Sequence, residues 1–191
     1  FLGVKYLVER DGQVEENLYL EDVYTSGSVH LLENKTYLPL GFMVDSELAN
    51  VDFKYSNYPF TLQNELLCAA TGIDTEYWHK IGEECLNISG TNVEYTSSPS
   101  SGYASYSSSG KTGYVTYTYN ITQSGFMCIS LDLPKKNKIT VSLNGSELYN
   151  ETYSLPQSFS VAFVRPGDIV QVRLTCNANE KGTTKVYAAQ L

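Results

Sequence analysis

The sequence predicts a mainly β protein, α+β overall, in which a part built of short strands and a helix precedes an antiparallel β-sandwich of jelly-roll type. Three observations carry this expectation. Tyr, Thr, Val and Ser together outweigh the strong helix formers, with 16 Tyr against one Trp and two Met. From about residue 92 onward the apolar residues recur with period two. Those runs are short and are cut by turn residues rather than by helical stretches. The expected division is 1–83 for the α+β part and 84–191 for the sandwich.

Residues 1–8 already read as a strand and are followed by an acidic stretch over 9–22. Two short apolar runs, 29–33 and 38–44, are separated by Asn34-Lys35-Thr36 and read as strands, with Pro39 near the start of the second. The main helix is expected over 61–71. Thr61 can cap it, Leu62, Leu66, Ala69 and Ala70 fall at i, i+4, i+7 and i+8, and Gly72 stands where a left-handed stop belongs. A further helical turn is expected over 74–81, capped by Asp74 and ended by Gly82.

In the sandwich, Val115, Tyr117, Tyr119 and Ile121 alternate with polar residues, as do Met127, Ile129, Leu131 and Leu133. Each such strand has one apolar face. Ile139, Val141 and Leu143 lead into Asn144-Gly145, which suits a type I′ hairpin. Phe159, Val161 and Phe163 lead into Arg165-Pro166-Gly167-Asp168, which suits a type II turn, and Val170, Val172, Leu174 and Cys176 return inward. A last strand is expected over 184–190. The tract 96–111, rich in Ser, Gly and Tyr, has loop composition. No repeat recurs at a fixed period.

A formal charge of -8 and a pI near 4.7 exclude the basic footprint that nucleic-acid binding needs, and make a neutral polymer the better partner. No stretch reaches the roughly 18 consecutive apolar residues of a membrane helix. With no signal peptide and a start inside a strand, the expectation is a water-soluble piece of a longer protein. Cys68, Cys85, Cys128 and Cys176 match no zinc spacing, and both free thiols and one bridge fit them.

No motif carries catalysis, a metal or a cofactor. Ser108-Ser109-Gly110-Lys111-Thr112 ends like a phosphate-binding loop, but Ser105 stands at the first glycine position and the residues that follow have β periodicity. His30 and His79 lack spaced partners and read as packing or surface residues. Glu15-Glu16 and Glu83-Glu84 read as solvated pairs rather than as paired catalytic acids. The Asn-x-Ser/Thr triplets at Asn34, Asn87, Asn120, Asn144 and Asn150 mark glycans only in a eukaryotic secreted protein. Tyr103, Tyr106 and Tyr114, together with Trp78, are the candidate ligand-binding residues, because a rigid aromatic face with a polar tip stacks on sugar rings at small entropic cost. Ordinary solvated loop and cross-strand aromatics are the competing reading for the tract, while Tyr117 and Tyr119 belong to the core in either case.

Glu33-Asn34, Leu38-Pro39-Leu40-Gly41-Phe42, Pro59-Phe60, Gln63-Asn64, Leu67 and Thr71-Gly72 resemble the outer-domain signature of the YfhO family. The opening Leu2-Gly3-Val4-Lys5-Tyr6 and the later Gly125-Phe126, Leu143-Asn144-Gly145 and Pro166-Gly167-Asp168 are similar in layout. Tyr58 stands where the family has Asn before Pro-Phe, and the Trp before the Asn-Gly turn is absent. The resemblance implies a multi-spanning bacterial membrane protein of the lipid-linked-sugar glycosyltransferase type, with this domain on the extracytoplasmic face and its chemistry outside the present residues. It also implies that 84–191 is like a carbohydrate-binding module. The implied partners are the transmembrane part of the same polypeptide and a glycan or glycolipid. A structural or protein-interaction domain and a secreted carbohydrate-active hydrolase are the alternatives.

Overall fold

The computed structural model describes residues 4–10, 20–35, 37, 43–51, 59–133, 136–154 and 156–191. It separates into two compact units, Phe1–Asp45 and Ser46–Leu191. The helix therefore shares a unit with the sandwich, where the sequence reading had joined it to the N-terminal strands.

In the first unit, β1 (Tyr6–Glu9), β2 (Leu20–Ser26) and β3 (Val29–Asn34) form an antiparallel sheet in the order β1-β3-β2. Asn34, part of the family-like signature, ties the sheet together: its N–H donates to Lys5 O at 2.7 Å and its side-chain amide to Val4 O at 3.1 Å. His30 Nδ1 lies 2.6 Å from Asp22 Oδ2, and Thr25 Oγ1 donates to the same oxygen at 2.8 Å. His30, then Thr25, holds the Asp22 carboxyl below its ordinary value. The strand expected over 38–44 falls mostly outside the described residues, and Met43 and Val44 are not in a strand.

The second unit opens with a 3-10 helix, Ser46–Asn50, and α1 (Pro59–Thr71) follows. Pro59 occupies the first turn, where a missing N–H costs nothing, so the helix starts two residues before the expected cap and Thr61 lies inside it. Gly72 ends it as expected, at φ +68°, with its N–H donating to Cys68 O at 2.9 Å. No helical turn forms over 74–81. The backbone there finds tertiary partners instead: Asn64 Oδ1 accepts from Tyr77 N at 3.1 Å and Trp78 N at 2.7 Å, Asn64 Nδ2 donates to Trp78 O at 2.8 Å, and β4 (His79–Lys80) joins a sheet. Local propensity loses to these bonds.

The sandwich consists of β5 (Leu86–Thr91), β6 (Val93–Ser98), β7 (Tyr103–Ser108), β8 (Gly113–Asn120), β9 (Gly125–Asp132), β10 (Asn137–Leu143), β11 (Ser146–Tyr153), β12 (Gln157–Val164), β13 (Ile169–Cys176) and β14 (Lys181–Gln190). One sheet runs β11-β10-β13-β8-β5, and the other runs β12-β9-β14-β7-β6 with β4 beside β14. All pairings are antiparallel. The expected jelly-roll sandwich is present.

Val115, Tyr117, Met127, Ile129, Leu131, Val141, Val170 and Leu174 fill the space between the sheets. The tyrosines fasten it. Tyr117 and Tyr119, on β8, donate across the sandwich to Thr184 O and Val186 O of β14, each at 3.3 Å. At one margin Tyr149 of β11 donates to Ser160 O of β12 at 2.6 Å, and at the other Tyr95 of β6 donates to Ile88 O of β5 at 3.3 Å. Each ring supplies apolar area while its hydroxyl finds an acceptor in the opposite sheet.

The tract 96–111 is not a loop. It supplies most of the β6–β7 hairpin, turned by Pro99–Ser101 and by Gly102 at φ +61°. A Cβ on Gly102 would stand 2.2 Å from Val186 O, so only glycine fits. Ala104, Tyr106 and Ser108 alternate inward, and Thr96 Oγ1 pairs with Ser105 Oγ across the hairpin at 2.7 Å. Small and hydroxylated side chains here serve a strand pressed against β14.

The two anticipated turns form and interlock. Asn144 and Gly145 have φ of 50° and 82°, and Gly167 has φ of 94°. Asn144 Nδ2 donates to Asp168 Oδ1 and Ile169 N donates to Asn144 Oδ1, both at 2.9 Å, while Arg165 N donates to Asp168 Oδ2 at 2.8 Å. The Asn144 amide, followed by the Arg165 N–H, holds the Asp168 carboxyl below its ordinary value.

One inward polar atom has no partner among the described residues: Thr184 Oγ1, on a residue 2% exposed. Thr184→Val keeps the shape and removes the orphaned hydroxyl. It is expected to stabilise the protein by about 1 kcal/mol, read as a higher urea midpoint.

Candidate functional site

Because β8, β13 and β10 send Val115, Tyr117, Val172, Leu174, Ile139 and Val141 inward, the residues between them line the outer side of the five-stranded sheet. The register sets these into rows across the strands. Asn87, Thr118, Gln171, Ser142 and Glu147 form one, and Ser89, Thr116, Arg173, Thr140 and Asn150 the next. Thr91, Tyr114 and Thr175 begin a third.

A groove of about 500 Å³ crosses this face, lined by Thr91, Tyr114, Thr116, Thr140, Ser142, Gly145, Glu147, Gln171 and Arg173. Every one of the five strands, or the β10–β11 turn, contributes to it. The Arg173 guanidinium lies 5.1 Å from the centroid of the Tyr114 ring, a cation–π contact that makes a flat, part-exposed platform. Among the described residues neither an acid pairs with Arg173 nor a side chain with the hydroxyls of Thr116, Thr140 and Ser142. Glu147, at the β11 margin, accepts from Asn150 Nδ2 at 3.0 Å. The groove thus offers hydroxyls, one amide, one aromatic face and one charge of each sign.

Of the residues anticipated for ligand binding, only Tyr114 lies in this groove. Tyr103 projects from β7 on the outer side of the opposite sheet. Tyr106 is a core residue, 4% exposed, with its hydroxyl donating to Glu180 Oε1 at 3.0 Å and burial pushing its phenol well above the ordinary value. Trp78 packs on Phe60, ring centroids 5.3 Å apart. Composition drew attention to the Tyr-Ser tract and missed Thr116, Thr140, Ser142, Gln171 and Arg173. Their signal was the polar half of each period-two strand.

None of the four cysteines is in a disulfide. Burial raises the Cys128 thiol above its ordinary value. Ser108–Thr112 ends one strand and leads into another, with Gly110 N donating to Asn179 Oδ1, so no helix N-terminus stands there to hold a phosphate. His79 is exposed and 3.6 Å from Glu76, Glu83 and Glu84 are exposed in a 3-10 turn, and Glu15-Glu16 lie outside the described residues. The groove contains one carboxylate, whereas paired-acid glycoside hydrolysis uses two. Among the described residues no group of three or more His, Cys, Asp or Glu is gathered as for a metal ion, and no helix is long and apolar enough to cross a membrane.

The class defined by these features is a β-sandwich domain of jelly-roll type with an open polar groove on one sheet. The particular family follows from the whole sequence: the chain belongs to the YfhO family, described as bacterial membrane protein YfhO, whose pattern matches residues 1–190. No curated protein matches it. Among solved structures, the chain is similar to TmCBM61 in complex with β-1,4-galactotriose, with 13% identity, 58% of this chain and 92% of that one covered, and a TM-score of 0.40. It is also similar to a family 29 carbohydrate binding module, with 17% identity, coverage of 59% and 84%, and a TM-score of 0.36. A family 35 carbohydrate binding module from Clostridium thermocellum gives 15% identity, coverage of 59% and 95%, and a TM-score of 0.35.

Proposed function

We propose that this is the noncatalytic, extracytoplasmic domain of a glycosyltransferase-like membrane protein, and that its five-stranded face helps recognise a glycan or glycolipid acceptor in cell-envelope glycosylation. The observation that carries the reading is the groove. Unpaired hydroxyls surround an Arg-backed aromatic face, the combination that hydrogen-bonds sugar hydroxyls while stacking a ring. Family membership supplies the membrane setting.

The test is a calorimetric titration of the 191-residue chain with envelope glycans and glycolipid head groups, repeated with Tyr114→Ala. Tyr114 is part-exposed on an outer face, so the fold tolerates the change. Loss of the ring is expected to cost about 2 kcal/mol of binding, roughly 30-fold in Kd, with little change in Tm. Absence of binding at millimolar concentration in the parent chain defeats the reading.

A second reading rests on the first unit. Tyr6, Val8, Tyr24 and Val29 are 50, 60, 65 and 40% exposed on its sheet, an apolar surface suited to packing on the transmembrane part of the same polypeptide. The two roles are compatible, since they use different units.

A further inference from the structure

We infer that the groove takes an internal stretch of an uncharged, linear glycan about four sugar units long, rather than a single terminal sugar. The inference rests on the glycan reading above and adds length, charge and mode of entry.

Its extent comes from the sheet order. Thr91 lies on β5 and Glu147 on β11, the two margins of the five-stranded sheet, with Tyr114, Arg173, Thr140 and Ser142 on the strands between. Four strand spacings separate the margins, about 19 Å. The repeat of an extended pyranose chain is close to one such spacing, so each unit has roughly one strand beneath it. A volume of about 500 Å³ is more than one pyranose ring fills. A site for a terminal sugar needs a wall across one end. Here the lining runs to both margins.

The charge comes from the lining. Arg173 and Glu147 are its only ionised members and cancel, which leaves no net field to attract a polyanion. A peptide is disfavoured for a separate reason: the backbone N–H and C=O groups of β10, β13 and β8 are committed to ladders on both sides, so between its margins the groove presents side-chain groups and no strand edge.

The two ends also differ. Tyr114 and Arg173 give the β8 side a stacking surface, while Glu147 gives the β11 side a carboxylate that accepts from sugar hydroxyls. A short ligand engages the stacking end first and reaches Glu147 only when the chain is long enough.

The experiment titrates the 191-residue chain calorimetrically with neutral β-linked gluco-, galacto- and manno-oligosaccharides of one to six units. In the series that binds, affinity is expected to rise about 100-fold from one unit to four and then level off. Tyr114→Ala weakens every length, whereas Glu147→Gln, an exposed change on a margin strand, weakens the tetramer and leaves the dimer unchanged. Equal affinity for monomer and hexamer, or a Glu147→Gln effect independent of length, overturns the internal-stretch inference while glycan binding stands. Failure of every series to bind overturns both.

Discussion

Tyr117→Ala is expected to destabilise the protein by about 4 kcal/mol, measured as a lowered urea midpoint at unchanged slope. Tyr117 is completely enclosed between the sheets, and burial pushes its phenol well above the ordinary value. Two terms add. Truncation leaves a ring-sized void against Val172, Val141 and Ile88, the inward residues of its own row, in a sandwich whose rigid sheets close such a gap poorly. It also deletes the hydroxyl that bridges to Thr184 O. Tyr117→Phe separates the terms, because it keeps the ring and loses only that bond, at a cost of about 1 kcal/mol. A domain of this size is ordinarily stable by about 5–15 kcal/mol, so the alanine variant consumes a large part of the margin while the phenylalanine variant does not. If the two variants are equally destabilised, the ring contributes little by packing, and the account of tyrosine as inter-sheet fastener fails.

That account also explains what could be read before the fold was known. Alternation identified Tyr117 and Tyr119 as core residues, and the Asn144-Gly145 and Pro166-Gly167 turns were legible because positive φ at those positions admits few residues. The hydroxyl partners were not legible. Thr184 is 67 residues from Tyr117, and Ser160 lies in the other sheet from Tyr149. The tract 96–111 was misread for a related reason, since a strand whose inward residues are Ala104, Tyr106 and Ser108 lacks the aliphatic signal that composition detects. The helix start was displaced because Pro59 serves as a first-turn residue, so a capping side chain at Thr61 was unnecessary. The missing turn at 74–81 depended on Asn64, whose side chain collects the Tyr77 and Trp78 backbone. For the groove, the polar residues of each strand were visible one strand at a time. Their union depends on β8 lying between β13 and β5, and β13 between β8 and β10, pairings that join segments distant in the chain. Of the anticipated ligand residues only Tyr114 entered it, because aromatic composition distinguishes neither the two sides of a strand, as at Tyr106, nor the two sheets, as at Tyr103.

Glu180→Ala is expected to cost about 3 kcal/mol, through hydrogen bonds lost rather than apolar area lost. Glu180 sits between β13 and β14, and its carboxylate accepts from three directions: Tyr106 Oη at 3.0 Å, Asn137 Nδ2 at 3.3 Å and Asn177 N at 2.7 Å. Tyr106 and Asn137 are buried on different sheets, so this one carboxylate joins β7, β10 and the β13–β14 turn. Ser108 closes the same turn from β7, its N–H donating to Glu180 O at 2.8 Å and its hydroxyl accepting from Glu180 N at 3.0 Å. Alanine retains these backbone bonds but removes the Glu180 acceptor from the Tyr106 hydroxyl, and leaves the Asn137 amide its longer contacts, 3.4 Å each, to Tyr106 Oη and Thr175 O. Tyr106→Phe in the parent chain removes a satisfied donor and is expected to destabilise. In the Glu180→Ala background the bond to Glu180 is already gone, and the same change is expected to cost less. A double-mutant cycle by urea unfolding should give a coupling of about 1–2 kcal/mol. Additive effects would mean that Tyr106 and Glu180 act independently.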